Sequence, residues 1–101
     1  MEKKRMAERQ KAVFNVQIDN DRAMVRQWIF APGSETGWHM HDHDFIVVPQ
    51  TKGTLLLQKA DSESSKELKP GDSYFRGAGI KHNAVNAGDD EIVLLEIELK
   101  P

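Results

Sequence analysis

Three of the four histidines of this 101-residue chain fall within five residues, in Gly37-Trp38-His39-Met40-His41-Asp42-His43. In an extended segment, residues at i, i+2 and i+4 face the same side, so this stretch can offer one metal ion two or three imidazoles. His39 and His41 lie about 7 Å apart along such a strand. From that spacing two neutral imidazoles can converge on one ion at roughly 2.0–2.1 Å each. His43 shares their parity, but a regular strand puts it roughly 13–14 Å from His39, too far for one ion to bind both easily. Unless a bulge shortens the path, His43 is expected to line the pocket or meet solvent at its mouth. Asp42 and Asp44 have the opposite parity and should point away from the ion. The remaining histidine, His82, follows the bend Gly77-Ala78-Gly79 and would bring a third nitrogen from another strand. Three protein ligands leave open positions, the arrangement of a catalytic rather than a closed structural site.

The elements around these residues read as short strands. Val13 to Ile18 is one, ended by the turn cluster Asp19-Asn20-Asp21. Ala23 to Phe30 is the next, broken by Pro32-Gly33. A single strand is expected from His39 to Val48, with Phe45-Ile46-Val47-Val48 apolar on both faces. Thr54 to Lys59 returns, and Asp61-Ser62-Glu63-Ser64-Ser65 reads as a polar loop tip. Ser73 to Arg76, His82 to Ala87 and Glu91 to Leu99 complete the set. In the last of these Val93, Leu95, Ile97 and Leu99 share one face and Glu96 and Glu98 the other. Seven or eight closely spaced strands, with Gly, Pro and Asp between them and no interior helix, predict an all-β, antiparallel sandwich or jelly-roll barrel. Gly33, Gly53, Gly71 and Gly79 sit where the chain is expected to reverse.

Length and composition allow one small domain, with residues 1–12 as a charged, solvated N-terminal arm and residues 13–101 as the barrel. A formal net charge of -2 argues against a broad basic face for nucleic acid or an anionic membrane. The chain has no cysteine, hence no disulfide framework and no thiolate ligand or nucleophile. No signal-like or membrane-spanning run is evident, and a cytoplasmic location is expected.

The two glycine-bounded segments resemble a known family. Gly33, His39, His41 and Gly53 look like the first motif of the cupin superfamily; Gly71, Gly77, Gly79, His82 and Asn86 look like the second. The resemblance implies a single-domain antiparallel jelly-roll (cupin) β-barrel in which the two motifs hold one divalent metal through His39, His41 and His82. Two departures stand out. Position 77, often Pro, is Gly here. The Glu that commonly follows the second histidine of the first motif is absent, its positions being Phe45 and Ile46. Thiol dioxygenases, which use three histidines and iron, are a precedent for a cupin without that Glu. Small single-domain cupins of unassigned activity are also similar, some of them associated with amino-acid catabolism.

Other residues support either packing or binding. Asn86 is expected to satisfy backbone groups at a turn. One of Tyr74 and Phe75 should enter the barrel. If Arg26 points inward it needs an anionic partner, which a carboxylate-bearing ligand could supply. Trp28 reads as a core or interface aromatic, and Trp38 should pack outside the lumen. The reading that follows is a metal-binding cupin with a divalent ion (Fe, Zn, Ni or Mn) in the barrel. That ion would be open to a small, carboxylate-bearing molecule, which a site charge near +2 favours. Two alternatives are a non-catalytic small-ligand-binding or sensory module and a metal-free, isomerase-like barrel with His82 or His41 as general base. A homodimer is expected, with Val13 to Ile18 and Trp28 as interface elements.

Overall fold

The computed structural model describes residues 9–101, and these form nine strands: β1 (Val13–Asp19), β2 (Ala23–Phe30), β3 (His39–Met40), β4 (Asp44–Pro49), β5 (Gly53–Lys59), β6 (Ser62–Leu68), β7 (Tyr74–Arg76), β8 (Lys81–Asn86) and β9 (Ile92–Leu99). They assemble into a five-stranded sheet, β1-β2-β9-β4-β7, and a four-stranded sheet, β3-β8-β5-β6. Every strand pairing is antiparallel. The all-β jelly-roll expected from the strand pattern is therefore the observed fold. No helix among the described residues is long and apolar enough to cross a membrane. Residues 1–8 of the expected arm lie outside the described residues. The rest of it is tied to the barrel: Ala12 N–H donates to the Glu35 carbonyl at 2.7 Å and Glu35 N–H to that of Gln10 at 3.0 Å.

Side chains of both sheets meet in one core of Phe30, Phe45, Val47, Leu55, Leu68, Ala84, Ile92 and Leu94. The period-2 alternation of strands explains the contributions of β4 and β9. Phe45, Val47 and Pro49 are buried along β4, and Ile92, Leu94 and Glu96 along β9. The inward face of β9 is thus the one that carries the glutamates, while Val93, Leu95 and Ile97 are half-buried on the other side. Cross-strand register explains this choice. Glu96 lies opposite Arg26 on β2 and Val47 on β4.

Three expectations need correction. The strand expected from His39 to Val48 is two: β3 ends at Met40 and pairs with β8, while β4 starts at Asp44 and belongs to the other sheet. A bend around Asp42 and His43 carries the chain between the sheets, so the three clustered histidines do not share one regular strand. Of the polar tip expected at residues 61–65, Asp61 lies in the turn but residues 62–65 begin β6, paired only with β5 at the sheet edge. Its exposed Ser and Glu residues suit an edge strand that need bury nothing, which hides it from a hydrophobic pattern. Gly53 does not reverse the chain; it begins β5, and a Cβ there would lie 2.7 Å from the Ile92 side chain. Close packing, not a turn, requires glycine at that position.

Candidate metal centre

The pairing of β3 with β8 sets His39 directly opposite His82. His41 follows just past β3, where its N–H donates to the Ile80 carbonyl at 3.1 Å and its own carbonyl accepts from Gly79 N–H at 2.8 Å. The bend after it folds Phe45 back onto the imidazole, the rings stacking with centroids 3.8 Å apart. Three side chains from two chain segments thereby converge. His41 Nε2 lies 3.0 Å from His39 Nε2 and 3.2 Å from His82 Nε2. Ligands at about 2.1 Å from one ion sit about 3.0 Å apart at a right angle and about 3.4 Å apart in a tetrahedron. The three expected ligands thus come together as a group that can hold a metal ion.

Protonation favours the same chemistry. His39 Nδ1 is 2.8 Å from the Gly37 carbonyl, which can only accept, so the proton belongs on Nδ1 and the Nε2 lone pair faces the group. Gly37 is at φ +94, a backbone conformation that Gly adopts without steric cost. Its N–H donates to Asn83 Oδ1 at 2.9 Å, so the residue after His82 fixes the loop that orients His39. Burial pushes the His82 imidazole down to about 4, helped by neighbouring His39 and His41. Burial also lowers His41, against the opposing pull of the Glu96 carboxylate. Neutral imidazoles near pH 7 are what metal ligation requires.

His43 is not part of the group; its Nδ1 meets Glu98 Oε2 at 3.1 Å with a third of the side chain exposed. The anionic partners of Arg26 are also protein groups. Arg26 donates to Glu96 Oε1 at 3.2 Å and Glu98 Oε1 at 3.4 Å. Trp28 Nε1 donates to the same Glu96 oxygen at 3.4 Å, so the indole reaches the lumen, while its ring also packs on Phe14 with centroids 4.8 Å apart. Tyr74 faces inward while Phe75 and Trp38 are exposed. Asn86 is buried and donates to the carbonyls of Phe30 and Asp90 at 3.1 and 2.8 Å, clamping the turn as expected.

The histidines stand between two spaces. A small lumen cavity of ≈ 40 Å³ has Trp28, Phe45, Tyr74, Arg76, His82 and Glu96 among its lining residues. An outer cleft of ≈ 300 Å³ is bounded by Phe14, Arg26, His41, Asp42 and Glu98; His39 borders both. Two lumen residues escaped sequence reasoning. Glu96, 8% exposed, reaches His41 with Oε2 3.8 Å from Nε2. Arg76 shares the inward face of β7 with Tyr74 and stacks 4.6 Å above its ring. It has no carboxylate partner among the described residues. Neither offered a local signal beyond its strand parity, with Ile92 and Leu94 for Glu96 and with Tyr74 for Arg76.

Comparison with known proteins agrees with this fold. Residues 26–98 match the family model described as Cupin domain. The chain is 48% identical over 95 residues to the β-alanine degradation protein BauB of Pseudomonas aeruginosa, covering 94% of this chain and all of that one. The crystal structure of a cupin domain from Bordetella pertussis superimposes with a TM-score of 0.90 at 47% identity, over 93% of this chain and 98% of that one. An RmlC-like cupin family protein with a double-stranded β-helix fold from Methanocaldococcus jannaschii shares the fold at 11% identity. Its TM-score is 0.75, covering 90% of this chain and 82% of that one.

Proposed function

The chain belongs to the cupin family, and from that premise we propose that it is a metal-dependent protein acting on a small carboxylate-bearing metabolite. His39, His41 and His82 hold one divalent ion, drawn from Fe, Zn, Ni and Mn. The observation that carries this reading is the approach of three Nε2 atoms to 3.0 and 3.2 Å in the barrel. Three lone pairs held so close, two of them on imidazoles biased to the neutral form, repel one another unless a proton or a cation lies between them. When bound, a divalent ion there supplies Lewis-acid or oxygen-activating chemistry.

The residues around the centre define what it can accept. Arg76, without an ion-pair partner among the described residues, supplies a cation on the lumen wall for a ligand carboxylate. Phe45, Leu57 and Trp28 exclude water from the inner side. The similar Pseudomonas protein is named for degradation of β-alanine, a small amino acid with one carboxylate, which supports the same ligand class here. We also propose a cytoplasmic homodimer: Val13, Phe14, Val16 and Ile18 on the edge strand β1 are each about half exposed, and a second copy would cover them.

Elemental analysis of purified protein tests the reading. Stoichiometric iron supports oxygen chemistry, to be followed by oxygen uptake with a panel of thiols and small acids. Zinc, nickel or manganese supports a Lewis-acid role. No metal, even after loading, overturns the proposal in favour of a metal-free barrel.

A further inference from the structure

The first motif lacks its usual carboxylate, and Phe45, at one of the two expected positions, stacks on His41 instead. The lumen nevertheless contains a carboxylate at the same imidazole. We propose that Glu96, from β9, is the fourth protein ligand of the centre, giving it three nitrogens and one oxygen with a donor from outside both motifs. This rests on the three-histidine reading above.

Glu96 and Val47 face each other across the β4–β9 pair, as do Glu98 and Phe45, so Glu96 enters the barrel one pleat deeper than Glu98. Its two oxygens have different surroundings. Oε1 is fixed by Arg26 at 3.2 Å and Trp28 Nε1 at 3.4 Å. Oε2 accepts no hydrogen bond from the described residues and lies 3.8 Å from His41 Nε2. Two donors about 2.1 Å from one ion are separated by between about 3.0 Å, at a right angle, and about 4.2 Å, when opposite. The separation from His41 falls inside that interval; Glu96 stands outside the three-histidine group itself, so its side chain has to turn toward the ion as the ion binds. A carboxylate anchored through one oxygen with the other turned toward a group of imidazoles is oriented as ligating carboxylates usually are.

Glu98 provides the internal control. It too pairs with Arg26, through Oε1 at 3.4 Å, but its Oε2 meets His43 and it borders the outer cleft. Glu96→Gln and Glu98→Gln therefore remove the same charge from the same arginine, and only the first removes the donor facing His41.

Calorimetric titration with Zn²⁺ of wild type, Glu96→Gln, Glu98→Gln and His82→Ala tests this, with circular dichroism reporting folding. Glu96→Gln is expected to weaken Zn²⁺ binding by more than about 100-fold, beyond the roughly 10–100-fold typical of losing a partner outside the ligand set. Glu98→Gln should change it by less than about threefold. Crystals of the Zn²⁺-loaded wild type should show Oε2 at about 2.0–2.2 Å from the ion. Equal affinities for wild type and Glu96→Gln, with His82→Ala impaired, overturn the role of Glu96 and leave the histidine centre standing. An Oε2–Zn separation above about 3 Å does the same. If wild type binds no Zn²⁺, both readings fall.

Discussion

Without metal, His82 should make the protein acid-labile in a defined window. Its imidazole is 8% exposed, and burial takes its pKa from 6.5 down to about 4. Between those values the unfolded chain binds a proton at this position and the folded chain does not. Stability is therefore intact above about pH 6.5 and falls as the pH drops toward 4. At about 1.4 kcal/mol per unit, the full loss is at most about 3.5 kcal/mol, of which about 3 kcal/mol is reached by pH 4, a large share of the roughly 5–15 kcal/mol typical of a domain. With a urea slope of about 1–2 kcal/mol per molar, the midpoint should fall by roughly 2 M between pH 7 and pH 4. Urea titrations in EDTA at half-unit pH steps measure this. His82→Gln, which cannot be protonated, should flatten that dependence by the same amount, whatever its stability at pH 7. Carboxylates also titrate in this range, so the comparison of slopes is decisive. Parallel curves for wild type and variant would refute the claim that the folded barrel excludes the proton.

Further outcomes follow from the same geometry. Arg76→Gln should leave Zn²⁺ affinity within about threefold while weakening binding of small carboxylates to the metal-loaded protein by at least about tenfold, the loss of one charge-assisted hydrogen bond; calorimetry reads both. Asn86→Ala strips hydrogen bonds from the buried turn joining Phe30, Gly88 and Asp90 and should cost about 3 kcal/mol in urea unfolding. Phe14→Glu on β1 should convert a dimer to a monomer in light scattering; a monomeric wild type would contradict the proposed homodimer.

The barrel was legible in the sequence because its strands bury one face and are separated by glycine, proline and acidic turns. Those signals placed β1, β2, β5 and β9 within a residue or two of their observed ends. Residues 62–65 defeated the same reasoning, since an edge strand can be polar on both faces and then resembles a loop. The histidine group was legible through spacing plus the second motif. Strand parity alone would have kept His43 as a candidate; strand length argued against it, and in the structure the bend at Asp42 and His43 turns it toward Glu98 instead. Glu96 and Arg76 were hidden for a different reason. Each sits on a strand whose alternation is clear, but which face points inward depends on pairing with β2 and β4, which no local pattern encodes. The more apolar face of β9, carrying Val93, Leu95 and Ile97, is only half-buried. The observed core face tolerates Glu96 because Arg26 and Trp28 stand across from it.

The central claim is that His39, His41 and His82 bind one metal ion. Zn²⁺ titration of EDTA-treated wild type beside His82→Ala and His43→Ala tests it most directly. One ion per chain is expected for wild type and for His43→Ala, with affinities close to each other, and a loss of tight binding for His82→Ala. Failure of wild type to bind Zn²⁺, or equal losses in the two histidine variants, would contradict it.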